Sequence, residues 1–329
     1  MVYSGYSGSP KGPAAGRASP GPAPWRRTVA REGRVVPALL MVLITVLCIA
    51  CYTGQTFFNK LFSMNYRGPD AAATPVYAVL YGALVSAVTL FLIRFQAAPS
   101  RETALLGCIN GVVLFLYNLG MIHASRTGPY AFQSIVMLFG SIVVCLLFSA
   151  AYWGDRLTVS QMAGIAVMLA AFVVLNGGGI DFRHVKKGYF PWVVSLFFTN
   201  GVYGVLMDAQ QRLHAQERNE MIIVTFFSSG VVSLLYLLIT QRGRSLQAFR
   251  MGKAAWGFAV GSGLCAAFAV YTLMALLAYI PGYILYTICN GSVLVLSAIL
   301  CRIVLKEKMT KMTIAGIVLS AVSITLLSV

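Results

Sequence analysis

The chain has 329 residues, of which 58% are hydrophobic and 10% charged, and its mean hydropathy is +0.78. A soluble domain carries about 25% charged residues, so this chain cannot clothe a folded surface in polar groups, which excludes a soluble enzyme and a disordered protein. The formal net charge of +16 sits in the N-terminal segment and between apolar runs, where Lys and Arg meet anionic headgroups and set topology; no nucleic-acid partner follows from it.

Residues 1–34 are rich in Gly, Pro, Ser and Ala and carry Arg26, Arg27, Arg31 and Arg34 close to the first apolar run. With no apolar segment of their own they read as a disordered basic tail and not as a signal peptide. Ten apolar runs of membrane-crossing length follow, at about 36–58, 74–95, 103–123, 129–152, 159–176, 189–208, 221–240, 254–276, 281–305 and 312–329. Lipid leaves free backbone donors unsatisfied, and alternating barrel-strand patterns are absent, so the runs are expected to be helices. Pro75, Pro129, Pro191 and Pro281 mark helix starts, and Trp153, Trp192 and Trp256 mark the interface. The seven cysteines all fall within apolar runs without metal-ligand spacing and read as small buried hydrophobes; no metal and no cofactor is expected.

The second half restates the first. Asp155-Arg156-Leu157-Thr158 with Ala163-Gly164-Ile165 returns as Glu307-Lys308-Met309-Thr310 with Ala315-Gly316-Ile317, a constant offset of 152. Pro129 maps onto Pro281 at the same offset, and the Gly107/Gly111 pair returns as Gly257/Gly261 at 150. Five helices is an odd number, so the second copy must enter the membrane upside down. The expected fold is an all-α membrane protein of ten transmembrane helices, built as two inverted five-helix repeats over 35–176 and 189–329 with a linker at 177–188. Within the motif, Asp155, Thr158, Gly164, Glu307, Thr310 and Gly316 read as fold-builders: Thr158 and Gln161 fit a helix capping box, and the Ala-Gly pairs allow close helix packing. The glycine pairs read as helix contacts that could pack against each other between the halves.

Two five-helix halves, each ending in an acid, a base, Leu or Met, Thr and then Ala-Gly-Ile, resemble the drug/metabolite transporter superfamily, in its EamA-like branch. The resemblance covers about 36–329 and implies a carrier for small metabolites or drugs, with a central cavity lined mainly by the first, third and fourth helices of each half. Small multidrug-resistance relatives place a proton-exchanging glutamate in the first helix, where this chain reads CIACYTGQTFFNK without an acid. Asp208, ending the sixth run, is the only acid that could face a cavity, and it reads first as an interfacial charge. Proton dependence weaker than that of a carboxylate exchanger is therefore expected. Phe58-Asn59-Lys60 is similar to an Asn-Lys pair of nucleotide-sugar and triose-phosphate carriers, the alternative substrate class.

Without buried charges, a binding site must lie in polar and aromatic stripes at helical spacing. Tyr52, Gln55 and Asn59 form one; Tyr130, Gln133, Ser134 and Met137 a second; Asn200, Tyr203 and Met207 a third. Tyr283, Tyr286, Thr287 and Asn290 form the sharpest, and the third helix adds Asn110, Tyr117 and Asn118. An amide facing lipid goes unsatisfied, so these stripes should face the bundle interior, either to bond neighbouring helices or to line a cavity. The cavity candidates are Tyr52, Gln55, Asn59, Tyr130, Gln133, Tyr203, Tyr283, Tyr286 and Asn290, suited to a small amphipathic substrate.

An intramembrane enzyme is the competing class. No aspartate pair lies mid-helix, Val260-Gly261-Ser262-Gly263 lacks the first glycine of a rhomboid GxSG, and no HExxH appears. The partners expected are a small-molecule substrate and the lipid bilayer, the plasma (inner) membrane in particular. Basic residues divide between the two sets of loops, while the arginines beside the first helix favour cytoplasmic termini.

Overall fold

In a computed structural model of the chain, residues 38–128, 130–177, 185–186, 188–241, 245–304 and 311–328 are described. Ten long helices run through them: α1 (Ala38–Asn65), α2 (Asp70–Leu92), α3 (Arg101–Thr127), α4 (Tyr130–Phe148), α5 (Val159–Gly177), α6 (Tyr189–Leu213), α7 (Arg218–Gln241), α8 (Lys253–Leu276), α9 (Gly282–Val304) and α10 (Lys311–Ser328). Among the described residues, seven helical spans are long and apolar enough to cross a membrane by length and composition. A polytopic membrane protein follows from them, because hydrocarbon admits the backbone only where its hydrogen bonds close within the helix. The tail, Pro129, most of the linker, and Glu307 and Thr310 of the second motif lie outside the described residues.

Two helices run past the ends that hydropathy sets. α1 continues to Asn65 instead of about 58, and α6 to Leu213 instead of about 208. In α6 the extension carries Arg212, paired at 2.9 Å with Asp208 one turn back at the end of the run, so neither charge stops the helix. α4 ends in one π-helical turn, Ser149–Trp153, closed by Gly154 at φ +67°, a left-handed position that suits glycine. α5 opens on a reciprocal capping box: the Gln161 amide donates to Thr158 Oγ1 and the Thr158 amide to Gln161 Oε1, both at 3.2 Å.

The tightest packing joins helices of the first five to helices of the last five: α1 with α8, α2 and α3 with α7, α4 and α3 with α6, and α5 with α10. Glycines set these crossings. A Cβ on Gly82 of α2 would lie 2.5 Å from the Phe226 carbonyl oxygen of α7, and one turn on Ser86 donates to the Ile223 carbonyl at 3.1 Å. Contact thus moves up α2 while it moves down α7, so the two run antiparallel. In the same sense, the start of α5 meets the end of α10: Ser323 donates to the Gly164 carbonyl at 2.6 Å, and a Cβ on Gly164 would reach Leu327. Gly316, in the second motif, is buried in α10. α4 and α9 also cross antiparallel, with Asn290 donating to Ser141 at 2.9 Å and Tyr286 and Cys145 both packed on Gly204.

The glycine pairs do not pack on each other. Gly107 and Gly111 seat α3 on Val224, Thr225 and Ser228 of α7, Gly261 faces the Phe58 ring, and a Cβ on Gly257 would meet no atom within 4 Å. The pairs sit on different partners because α3 crosses α7 where α8 crosses α1. Gly82→Leu is therefore expected to cost about 1–3 kcal/mol through overpacking and to lower the melting midpoint of the detergent-solubilised protein, whereas Gly257→Ala leaves it unchanged.

Candidate functional site

The middle of the bundle is a cluster of tyrosines contributed by both sets of five helices. Tyr286 (α9) is buried in one core together with Phe226 of α7, and Tyr52 (α1), Tyr81 (α2), Tyr117 (α3) and Tyr203 (α6), partly buried, pack against it. The ring of Tyr81 stacks on Tyr77 at 5.4 Å and meets Phe226 edge-on at 5.4 Å. The phenols of Tyr52, Tyr81 and Tyr203 are close enough to interact electrostatically, as are those of Tyr203 and Tyr286. Gln55 enters the same group by donating from Nε2 to the Tyr81 hydroxyl at 3.1 Å, while its Oε1 is buried without a hydrogen-bond partner. Asn110 of α3 is fully buried with neither amide atom bonded. Such unpaired buried groups are costly unless water or a solute completes them.

The structure sorts the sequence candidates. Tyr52, Gln55, Tyr203 and Tyr286 converge, and the last also donates to the Gly204 carbonyl at 3.2 Å. Gln133 bonds back to the Met121 carbonyl at 3.1 Å, Asn200 to the Met137 carbonyl at 2.8 Å and Asn290 to Ser141, so these three tie helices together. Asn59 is exposed, and the side chain of Tyr130 lies outside the described residues. Tyr283 is buried near the charged cluster described next. Tyr77 and Tyr81 escaped the sequence reading because α2 places them among apolar residues at a spacing indistinguishable from core packing.

Asp208 is not an interfacial charge. It is 5% exposed, and its Oδ2 accepts from Arg212 Nε at 2.9 Å. Arg212 also donates from Nη2 to Asp155 Oδ2 at 2.7 Å, and the Ser149 hydroxyl donates to that same oxygen at 2.8 Å. Trp153 covers the guanidinium at 5.1 Å. Asp208 Oδ1 lies at the first turn of α9, where a Cβ on Gly282 would sit 3.1 Å away, so the positive end of that helix faces the carboxylate. Asp155, from the repeated motif, is thereby joined to the far end of α6. The sequence signal for this was Asp208-xxx-Arg212 at i,i+4, a pair that straddles the end of the sixth apolar run.

These features define a polytopic membrane protein: a helical bundle with an aromatic, polar-studded interior and, at the end of α6, a buried cluster of charge. Residues 188–329 match the model of the EamA-like transporter family. Over 172 residues, half of this chain, it is 25% identical to a Na(+)/H(+) antiporter, NhaA 3, of Streptomyces coelicolor, and it spans 35% of that protein's length. The crystal structure of another protein shares the fold, with a TM-score of 0.69 at 19% identity over 88% of this chain and 98% of the other.

Ser262 donates to the Gln55 carbonyl at 3.1 Å and shares a 2.6 Å hydrogen bond with Tyr77, His123 stacks on Trp192 at 4.6 Å, and His214 lies 3.0 Å from Glu102. Among the described residues no group of three or more His, Cys, Asp or Glu could hold a metal ion.

Arg212→Ala strands two buried carboxylates. It is expected to destabilise the protein by about 3–5 kcal/mol in thermal unfolding, with Arg212→Lys intermediate because a lysine keeps the charge but not the planar fork.

Proposed function

We propose that the chain moves a small, uncharged or zwitterionic amphipathic solute across the plasma membrane by alternating access between two inverted five-helix halves. The observation that carries this reading is the direction of the helix crossings. α2 against α7, α4 against α9 and α5 against α10 each pair a helix with its counterpart five positions on, and each pair runs antiparallel. The contacts of α1 with α8 and of α3 with α6 are likewise exchanged when the halves are exchanged. Inverted repeats of this kind support transport about a site near the midplane, because two similar bundles can rock in opposite senses around it.

The solute class follows from the chemistry of the tyrosine cluster. The cluster is built of aromatic rings and hydroxyls with the Gln55 amide, and among the described residues the Asp155, Asp208 and Arg212 charges lie at the end of α6 and not in this layer. A fully charged solute would meet no counter-ion there, whereas ring faces and unpaired amides suit a molecule with one apolar body and a few hydrogen-bonding groups. The Na(+)/H(+) antiporter likeness favours transport in exchange for a cation as the second reading. In this carrier reading no residue does covalent chemistry.

Reconstituted in proteoliposomes and challenged with a labelled panel of aromatic and aliphatic amino acids, amines and sugars, the protein is expected to accelerate flux of at least one member. Tyr52→Ala with Tyr203→Ala should reduce that flux by about tenfold or more, the loss of two aromatic contacts each worth about 0.5–1.5 kcal/mol, while Asn59→Ala changes it little. Flux unchanged by the double substitution would move the site elsewhere.

A further inference from the structure

The hydrogen bonds around Gln55 leave one acceptor and one donor unused. Ser262 of α8 gives its single hydroxyl proton to the Gln55 backbone carbonyl at 3.1 Å. In its 2.6 Å hydrogen bond with Tyr77 of α2, Ser262 is therefore the acceptor and the phenol the donor. With its proton spent, the Tyr77 oxygen is left only to accept, and the Gln55 side chain interacts with it and with Tyr81. An acceptor on that side draws the amide nitrogen, and Gln55 Nε2 donates to the Tyr81 hydroxyl at 3.1 Å. Oε1, on the other arm of the amide, is buried without a partner. Tyr81 accepts from Gln55, and among the described residues its own proton reaches no acceptor.

The unused acceptor and the unused donor are neighbours, because Nε2 and Oε1 belong to one amide and Nε2 already touches the Tyr81 hydroxyl. Rings frame them: Tyr81 stacks on Tyr77 and meets Phe226 edge-on, each at 5.4 Å. We propose that Gln55 and Tyr81 read a carboxamide or lactam edge on the transported solute, Oε1 accepting its N–H and the phenol donating to its C=O, with the solute's apolar body against those rings. This rests on the carrier reading above and narrows its solute class.

Other polar groups match the pair less well. An ammonium satisfies Oε1 but leaves the phenol proton unspent, and Asp155 and Asp208, at the end of α6, are already held by Arg212. A carboxylate sets negative oxygen against Oε1, and an ester supplies an acceptor alone. An amide edge carries donor and acceptor on adjacent atoms without net charge, so neither protein group stays unpaired when the bundle closes on it. A site built to bond a particular N–H rejects the analogue that lacks it, because the buried acceptor is then left empty.

Three uncharged pyridine probes test the assignment. Nicotinamide, methyl nicotinate and N,N-diethylnicotinamide share a ring and a carbonyl, and only nicotinamide has an N–H to donate. Their binding to the full chain in lipid nanodiscs is read by ligand-observed NMR titration, with empty nanodiscs subtracted. The native chain should hold nicotinamide about tenfold or more tighter than the other two. Gln55→Leu and the unbranched Gln55→Met, which fill the space without an acceptor, should erase that preference, while Tyr81→Phe should weaken all three probes by about threefold or more and preserve it. No preference in the native chain, a preference that survives both Gln55 substitutions, or probes indifferent to Tyr81→Phe would overturn the assignment. The preference is a ratio between probes on one protein, so a smaller folded fraction does not mimic its loss. Flux is measured apart, in proteoliposomes: the preference without accelerated flux of any solute contradicts the carrier reading alone, and accelerated flux without the preference contradicts the amide-edge assignment alone.

Discussion

Hydrocarbon satisfies no hydrogen bond and tolerates no lone charge, and the rest of this structure answers to that constraint. Each backbone amide must close within a helix, each side-chain amide must find a neighbouring helix, and each charge must be paired or pushed to an end. Asn200, Asn290 and Gln133 obey by bonding carbonyls and hydroxyls across crossings. Arg212 obeys by holding Asp155 and Asp208 together at the end of α6. Gln55 Oε1 escapes the rule beside Tyr81, where a solute could complete it, and Asn110 is among several other buried polar side chains with unbonded atoms.

Close packing is the second consequence. Without a hydrophobic drive between helices in lipid, association depends on surfaces that can approach, and small residues supply them. Gly82, Gly111, Gly164 and Gly204 each sit where a Cβ would collide with the facing helix. These crossings join the first five helices to the last five, so the halves interlock and do not stand as separate lobes.

Much of the fold was legible in the chain. Ten apolar runs, the Asp-Arg-Leu-Thr and Glu-Lys-Met-Thr motifs, and the capping pair Thr158 and Gln161 were visible as hydropathy, repetition and spacing. The candidate tyrosine cluster was half legible: Tyr52, Gln55, Tyr203 and Tyr286, which the fold brings together, showed as polar stripes because tyrosine and amide stand out against Leu and Val. Tyr77 and Tyr81 did not, since their neighbours on α2 are equally buried against α7 and α8. Asp208 misled for a physical reason. A charge one turn from a hydropathic boundary looks solvated until its partner at i,i+4 and a second acid from another helix are placed beside it, and only tertiary structure brings Asp155 there.

The central claim is that one tyrosine-lined site is reached from each side of the membrane in turn. With the seven native cysteines replaced and a single cysteine placed at position 203, labelling by a membrane-impermeant maleimide from each side of sealed, oriented vesicles measures this directly. Labelling from either side, with each side's rate falling when variants hold that face shut, is the predicted result; labelling confined to one side under every condition, or absent from both, contradicts it.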